Sequence, residues 1–273
     1  LFQWRNIFKG MAMGVSDLIP GVSGGTIALL LGIYQQFIAS INGVFSKRWK
    51  QSLLFLIPIG IGIVLALLLV SRLVEWLIEA YPQPTFIFFL GLIIGIIPTL
   101  LKEIDYKKSF TPVHYVLLLI GAVLVASTAF VKDDNMTAVI EHLGQSDYIL
   151  LFFAGWLASS AMILPGISGS FVLLLLGVYP TVINAVSNLN FAVILTVGAG
   201  VLIGVLVTSK LITILLAKFK AGTYAVMIGF IVGSIVIIYP GLPGNAVLII
   251  VSIIAFIAGV ISAYLLSGID VKN

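Results

Sequence analysis

Residues 18–34 read LIPGVSGGTIALLLGIY, and residues 163–179 read ILPGISGSFVLLLLGVY. A constant offset of 145 aligns Pro20 with Pro165, Gly21 with Gly166, Ser23 with Ser168, Gly24 with Gly169, Gly32 with Gly177 and Tyr34 with Tyr179. In each stretch a Pro-Gly pair interrupts an apolar run. Proline removes a backbone donor and disfavours helix at the preceding residue, while glycine tolerates the bend. Interrupted apolar segments at matching places in two halves of a chain point to the binding site of transporters built from internal repeats.

The repeat extends beyond this motif. At an offset of 138, Gly60 pairs with Gly198, Gly62 with Gly200, Ser71 with Ser209, Arg72 with Lys210, Thr85 with Thr223, Gly91 with Gly229 and Gly95 with Gly233. The drop from 145 to 138 falls in the connecting loop near Ser46–Gln51, where the first copy carries extra residues. The chain therefore reads as two copies of one unit, residues 1–131 and 148–273, joined by an outer loop at 132–147. A membrane span needs ~20 apolar residues. Full-length candidates are 53–77, 84–101, 113–131, 191–217, 222–239 and 246–267. The two remaining segments, 8–43 and 148–187, hold the Pro-Gly breaks and read as pairs of half-helices.

Composition agrees with a lipid environment. Of 273 residues, 61% are hydrophobic and 9% charged, against roughly 25% charged in a soluble domain. No N-terminal stretch has the small-residue cleavage pattern of a signal peptide, and apolar segments continue to the end of the chain. The absence of cysteine excludes disulfides, thiolate chemistry and Cys-ligated metal. The net charge of +4 is spread between apolar segments rather than gathered into one patch, which argues for topology and against nucleic-acid binding.

Charge also orients the chain. If both broken segments re-enter on the face they left, each half crosses three times and the second half is inverted. Arg5, Lys9, Lys47, Arg48, Lys50, Lys102, Lys107, Lys108, Lys218, Lys220 and Lys272 then share one face. The opposite face receives Glu75, Glu79, Asp133, Asp134, Glu141 and Asp147, with only Arg72 and Lys132 as basic company. The positive-inside rule favours this arrangement over full crossing of the broken segments. The expected fold is an all-α integral membrane protein of two inverted-topology repeats. Each repeat is a re-entrant broken hairpin plus three transmembrane helices, and both termini are cytoplasmic.

The chemistry follows from the breaks. Non-helical backbone at membrane depth survives where protein buries it or water reaches it. A half-helix begins after each break, capped by Ser23 or Ser168, and its first N–H groups lack intrahelical partners. Gly24, Gly25 and Gly169 let an anion approach the backbone. The competing explanation is that these small residues only allow close helix packing. Arg72 and Lys210 are repeat-equivalent intramembrane cations that either bind the anion or snorkel to the interface. Asp17, opposite Met162 in the repeat, either pairs with a cation, carries a proton, or has a structural role hydrogen-bonding the broken backbone. Thr85 and Thr223 read as helix-capping residues.

Gly21-Val22-Ser23-Gly24-Gly25 also fits the G-x-S-x-G nucleophile pattern, which makes an intramembrane serine hydrolase an alternative. A serine nucleophile needs a base. His114 and His142 fall at a span end and in the outer loop, and a Ser-Lys dyad with Lys210 would leave Ser168 without a role. The reading is therefore a non-enzyme. No metal site emerges from His and carboxylate spacing, and no cofactor is expected.

DLIPGVSGGT with LPGISGS in the second half resembles the bacterial polyprenyl-phosphate translocase family PopT, over nearly the whole chain. The resemblance implies return of undecaprenyl phosphate from the outer to the inner leaflet of the bacterial plasma membrane, for peptidoglycan and other envelope polymers. It implies site roles for Asp17, Pro20, Gly21, Ser23, Gly24, Gly25 and Thr26, and for Pro165, Gly166, Ser168, Gly169 and Ser170. Met162 and Phe171 stand where the first copy has Asp17 and Thr26, so unequal contributions from the two halves are expected. The residues alone indicate an anion or anionic-lipid transporter, with a soluble-anion transporter or channel as the alternative.

Overall fold

The computed structural model describes residues 3–19, 22–130, 139–140, 143–241 and 244–267. Pro20, Gly21, most of the 132–147 loop (Lys132, Asp133, Asp134, Glu141 and His142 among it) and Lys272 lie outside the described residues. The described residues are helical and contain no strand. In order they are α1 (Asn6–Asp17), α2 (Gly24–Leu30), α3 (Tyr34–Gly43), α4 (Trp49–Ala80), α5 (Pro82–Glu103), α6 (Tyr106–Ser109), α7 (Pro112–Ser127), α8 (Gln145–Ile163), α9 (Gly169–Leu175), α10 (Tyr179–Ser187), α11 (Phe191–Lys218), α12 (Lys220–Ile238) and α13 (Ala246–Ser267).

Among them α4, α5, α8, α11, α12, α13, and α7 with the short turn after it, are long and apolar enough to cross a membrane. Proline at the start of α5 and α7 sets the first helical turn where its missing N–H costs nothing.

Each broken segment holds three helices rather than two half-helices. A sharp bend lies one helix after each Pro-Gly break. It measures 119° between α2 and α3 and 113° between α9 and α10. Gly32 (φ 67) and Gly177 (φ 69) occupy these bends in the left-handed region. Each closes the helix before it in the same way. Gly32 N–H donates to Leu29 O at 3.0 Å and Ile33 N–H to Ala28 O at 3.0 Å; Gly177 and Val178 repeat this on Leu174 and Leu173 at 2.8 and 3.0 Å. A side chain at either glycine would add left-handed strain, so the glycine is what stops the helix there.

Packing follows the repeat. Helix α1 lies along α4 and α8 along α11, while α5 pairs with α13 and α12 with α7. The second span of each copy thus packs on the third span of the other. The contacts correspond residue by residue. Gly62 meets α1 at Ile7 and Gly10, and Gly200 meets α8 at Phe152 and Trp156; Gly91 meets the Phe256 backbone, and Gly229 that of Leu118. At all four, a Cβ would collide with backbone of the neighbouring helix. Small residues let helices approach closely where lipid gives no hydrophobic drive to associate.

The second break falls beside the middle of a long helix, and α1 packs near the middle of another. Gly14 packs on Ile63 and Ala66 of α4, and Gly166 on Phe230 and Ile231 of α12. Leu30, Tyr34, Ile93, Ile96, Leu100, Tyr224, Met227 and Ile228, among the most deeply buried side chains, belong to one hydrophobic core cluster. The sequence leads one to expect a half-helix for the start of the 148–187 segment. Its α8 instead has 19 residues and span length, because the apolar run from Tyr148 reaches Ile163 unbroken, whereas α1 has 12.

Candidate functional site

The first break is tied off by its own side chains. Helix α1 ends at Asp17, and Asp17 Oδ1 accepts the Gly24 N–H that opens α2, at 2.7 Å. That short bond couples a carboxylate to a helix start, where the exposed N–H groups favour negative charge. A Cβ at Gly24 would stand 3.0 Å from Asp17 Oδ2, so glycine is what admits the carboxylate. Ser23 is extended and caps α2, its Oγ accepting Thr26 N–H at 3.3 Å.

The hydroxyls of this first motif then reach into the second. Gly166 N–H donates to Thr26 Oγ1 at 2.9 Å and to Ser23 Oγ at 3.3 Å. Ser23 Oγ also lies 3.4 Å from Leu164 O as donor, and Tyr34 OH donates to Ile163 O at 3.1 Å. The end of a helix leaves carbonyls without partners, and Pro165 supplies no N–H of its own to the turn. Ser23, Thr26 and Tyr34 close that gap from the other half of the chain. Ser23 and Thr26 are 2% and 1% exposed, so their hydrogen-bonding capacity is spent inside the protein. Gly25 sits against the same helix end, where a Cβ would come 2.9 Å from Ile163 O. Gly166 has φ +83, and a Cβ there would stand 2.7 Å from the Phe230 backbone, so two separate constraints demand glycine.

The second motif is open. Ser168 caps α9 by position but not by hydrogen bond; its Oγ instead lies 2.8 Å from Ser170 Oγ. Both hydroxyls line a cavity of about 750 Å³ together with Asp17, Ser160, Tyr179 and Thr128. The rest of the wall is apolar, including Leu157, Ile167, Phe171 and Leu174. Gly169 packs against Met162 and Ala158 of α8. The cavity thus joins a few hydroxyls and one carboxylate to an apolar lining, the composition of a site for a ligand with a polar head and an apolar body.

Arg72 and Lys210 are exposed on α4 and α11 and are not among the residues lining this cavity. Ser209, beside Lys210, donates to Asn42 Oδ1 at 3.1 Å, and Asn42 donates to Thr213 Oγ1 at 2.8 Å, which ties α3 to α11. Thr85 and Thr223 bond the carbonyls of Tyr81 and Phe219, four residues earlier. His114 Nδ1 accepts Thr111 N–H at 2.9 Å and caps α7. The partners of Ser23 are Thr26, Gly166 and Leu164, none of them a base. Among the described residues no group of three or more His, Asp and Glu side chains is placed to hold a metal ion.

Ser160 and Tyr34 carry parts of this site that the sequence reading passed over. Ser160 Oγ is 2.7 Å from Thr208 Oγ1 of α11 and faces the cavity. A hydroxyl in an apolar helix one turn before the break was the available signal. Tyr34 was visible as the repeat mate of Tyr179, but nothing in the pairing distinguishes a brace from a cavity wall.

A family model described as undecaprenyl phosphate translocase-like matches residues 13–250. The chain belongs to that family. A Staphylococcus aureus protein named polyprenyl-phosphate transporter is 51% identical over 279 residues, covering 100% of this chain and 99% of its own. A Vibrio cholerae protein of the same name is 35% identical over 245 residues, covering 85% of this chain and 76% of its own. No solved structure matches the chain. The match begins just before Asp17, spans both motifs and ends within α13, so it takes in the cavity and the brace. With its span-length helices, this member of the family is a multi-pass membrane protein.

Proposed function

We propose that the protein carries a polyprenyl phosphate across the bacterial plasma membrane from the outer to the inner leaflet, as a transporter and not an enzyme. The observation that carries the reading is the cavity at the second break, where Ser168 and Ser170 stand open amid apolar walls. The names of the relatives support the lipid, and the charge distribution supports inverted repeats with both termini in the cytoplasm. Six spans then flank two re-entrant segments, with α8 entering deeply and returning through α9 and α10.

A phosphate entering hydrocarbon meets a desolvation cost of several kcal/mol or more. Hydroxyls and backbone N–H groups at the breaks replace its water, while the prenyl chain stays against apolar side chains or lipid. In this reading Ser168, Gly169 and Ser170 touch the phosphate. Ser23, Gly24, Gly25 and Thr26 shape the site, and Pro20, Gly21, Pro165 and Gly166 keep its backbone out of helix. Arg72 and Lys210 serve the headgroup at the two ends of the path, near the interfaces.

Asp17 holds the position an anion would take at Gly24, so a charged carboxylate there repels the incoming phosphate. Protonation of Asp17 relieves that repulsion and brings a positive charge inward with the lipid. Moving one negative charge against a potential of 100 mV costs about 2.3 kcal/mol, which a co-transported proton offsets. Vesicles containing the purified protein test the whole reading. An inward proton gradient should speed loss of a short-chain prenyl phosphate from the outer leaflet. Flux equal to that of empty vesicles contradicts it, and flux of inorganic phosphate without flux of the lipid points to a soluble-anion carrier.

A further inference from the structure

A second cavity, of about 630 Å³, lies further along α7 and α12. Its wall includes Lys218, Lys220 and His114, and its interior is apolar, with Ile212, Met227 and Phe230. Helix α7 runs from one cavity to the other, Leu117 facing this one and Leu124 the first. Seven residues of helix are about 10 Å, or two turns, so the two spaces are stacked and close. One side chain, Leu164, lies in both walls. It sits on the loop that Ser23 and Thr26 brace, two residues before Gly166, which packs on Phe230.

The charge of the second cavity is the reverse of the first. Among the described residues, the first contains a carboxylate and no cation in its wall, and the second contains two lysines and a histidine and no carboxylate. Among the described residues neither lysine has a carboxylate within ion-pairing distance, and Lys220 Nζ lies 5.8 Å from the Tyr224 ring centre. The nearby carboxylate of Glu103 accepts the Tyr224 hydroxyl at 2.6 Å.

We propose that this cavity is a second binding site for a phosphomonoester headgroup, the position reached after the first cavity, with Leu164 as the partition between them. The inference rests on the transport reading above. Lysines at the wall fit a phosphate, and the apolar interior fits the first isoprene units of an attached chain, so the ligand class is a prenyl phosphate rather than the free ion. By the charge rule its basic side faces the cytoplasm, where the lipid is released.

The protein has no cysteine, so a single one can report on each cavity. Ala221→Cys marks the second and Ala161→Cys the first. The full chain in nanodiscs is labelled with a small maleimide in the presence of farnesyl phosphate or of inorganic phosphate. Farnesyl phosphate should slow labelling at both positions. Adding Lys218→Gln with Lys220→Gln should raise the concentration needed at position 221 by about tenfold or more, since charge-assisted bonds to phosphate are lost, and leave position 161 unchanged. Protection at 161 but not at 221 overturns the second site and leaves the transport reading standing. Protection at neither overturns both. Equal protection at 221 by inorganic phosphate overturns the lipid assignment, and a concentration dependence at 221 indifferent to the lysine changes overturns the role given to the cations.

Discussion

The two breaks share a sequence and not a task. In the first, every hydroxyl is buried and engaged, and Asp17 occupies the start of α2. In the second, Ser168 and Ser170 bond only each other and face a cavity, and Met162 replaces the carboxylate. Three substitutions across the repeat account for the divergence. Thr26 becomes Phe171, which cannot bond a backbone N–H; Gly25 becomes Ser170, which adds a hydroxyl; Asp17 becomes Met162, which leaves the start of α9 without a carboxylate. Duplication supplied two equivalent frames, and the side chains made one a brace and the other an opening.

The comparison breaks most visibly at the glycines. Gly166→Ala puts a methyl 2.7 Å from the Phe230 backbone at a φ of +83. Gly177→Ala has a similar φ, +69, with nothing within 4 Å. The second change should cost only the left-handed strain, about 1–2 kcal/mol. The first adds a backbone collision and should lower the melting temperature in detergent several times more. Similar losses for the two would mean that the 164–167 loop shifts freely, and that the brace is not rigid.

A crossing of effects comes next. Thr26→Val keeps shape but leaves the buried Gly166 N–H with only its longer bond to Ser23 Oγ, costing about 1 kcal/mol. Ser170→Ala removes an exposed hydroxyl, so stability should change by less than about 0.5 kcal/mol while affinity for a prenyl phosphate falls. Melting curves and binding titrations on the same preparations check both. Loss of binding without loss of stability in Thr26→Val would instead make the first motif part of the ligand contact.

Asp17→Asn retains an acceptor for Gly24 N–H and removes the titratable group. Its melting temperature should fall little, and the response of transport to an imposed proton gradient should vanish. A gradient response equal to that of the unmodified protein would leave Asp17 as a cap alone. Smallest of all should be the stability effects of Arg72→Gln and Lys210→Gln, within about 0.5 kcal/mol, because both side chains are exposed.

Much of this was legible in the chain. The offsets of 145 and 138 identify the repeat, and among the glycines they pair, Gly62 and Gly200, Gly91 and Gly229, and Gly95 and Gly233 are at the helix contacts. The position of the bend was not. Pro20-Gly21 and Pro165-Gly166 draw attention as breakers, yet a lone glycine in the left-handed region at Gly32 and Gly177 turns the chain by 119° and 113°. Nor could the exposure of Arg72 and Lys210 be read. Helices apolar all round carry no polar face by which to tell inside from outside. The choice between brace and opening depended on Thr26 and Phe171 acting across the repeat, a long-range contact that no local pattern encodes.

The central claim, that the second break and not the first receives the phosphate, is tested most directly by transport through a doubly changed second motif. Ser168→Ala with Ser170→Ala should leave the melting temperature of the purified protein unchanged and reduce prenyl-phosphate movement between leaflets of reconstituted vesicles by about tenfold or more, the loss of two hydrogen bonds to a charged group. A double variant that melts normally and transports at the unmodified rate would contradict it.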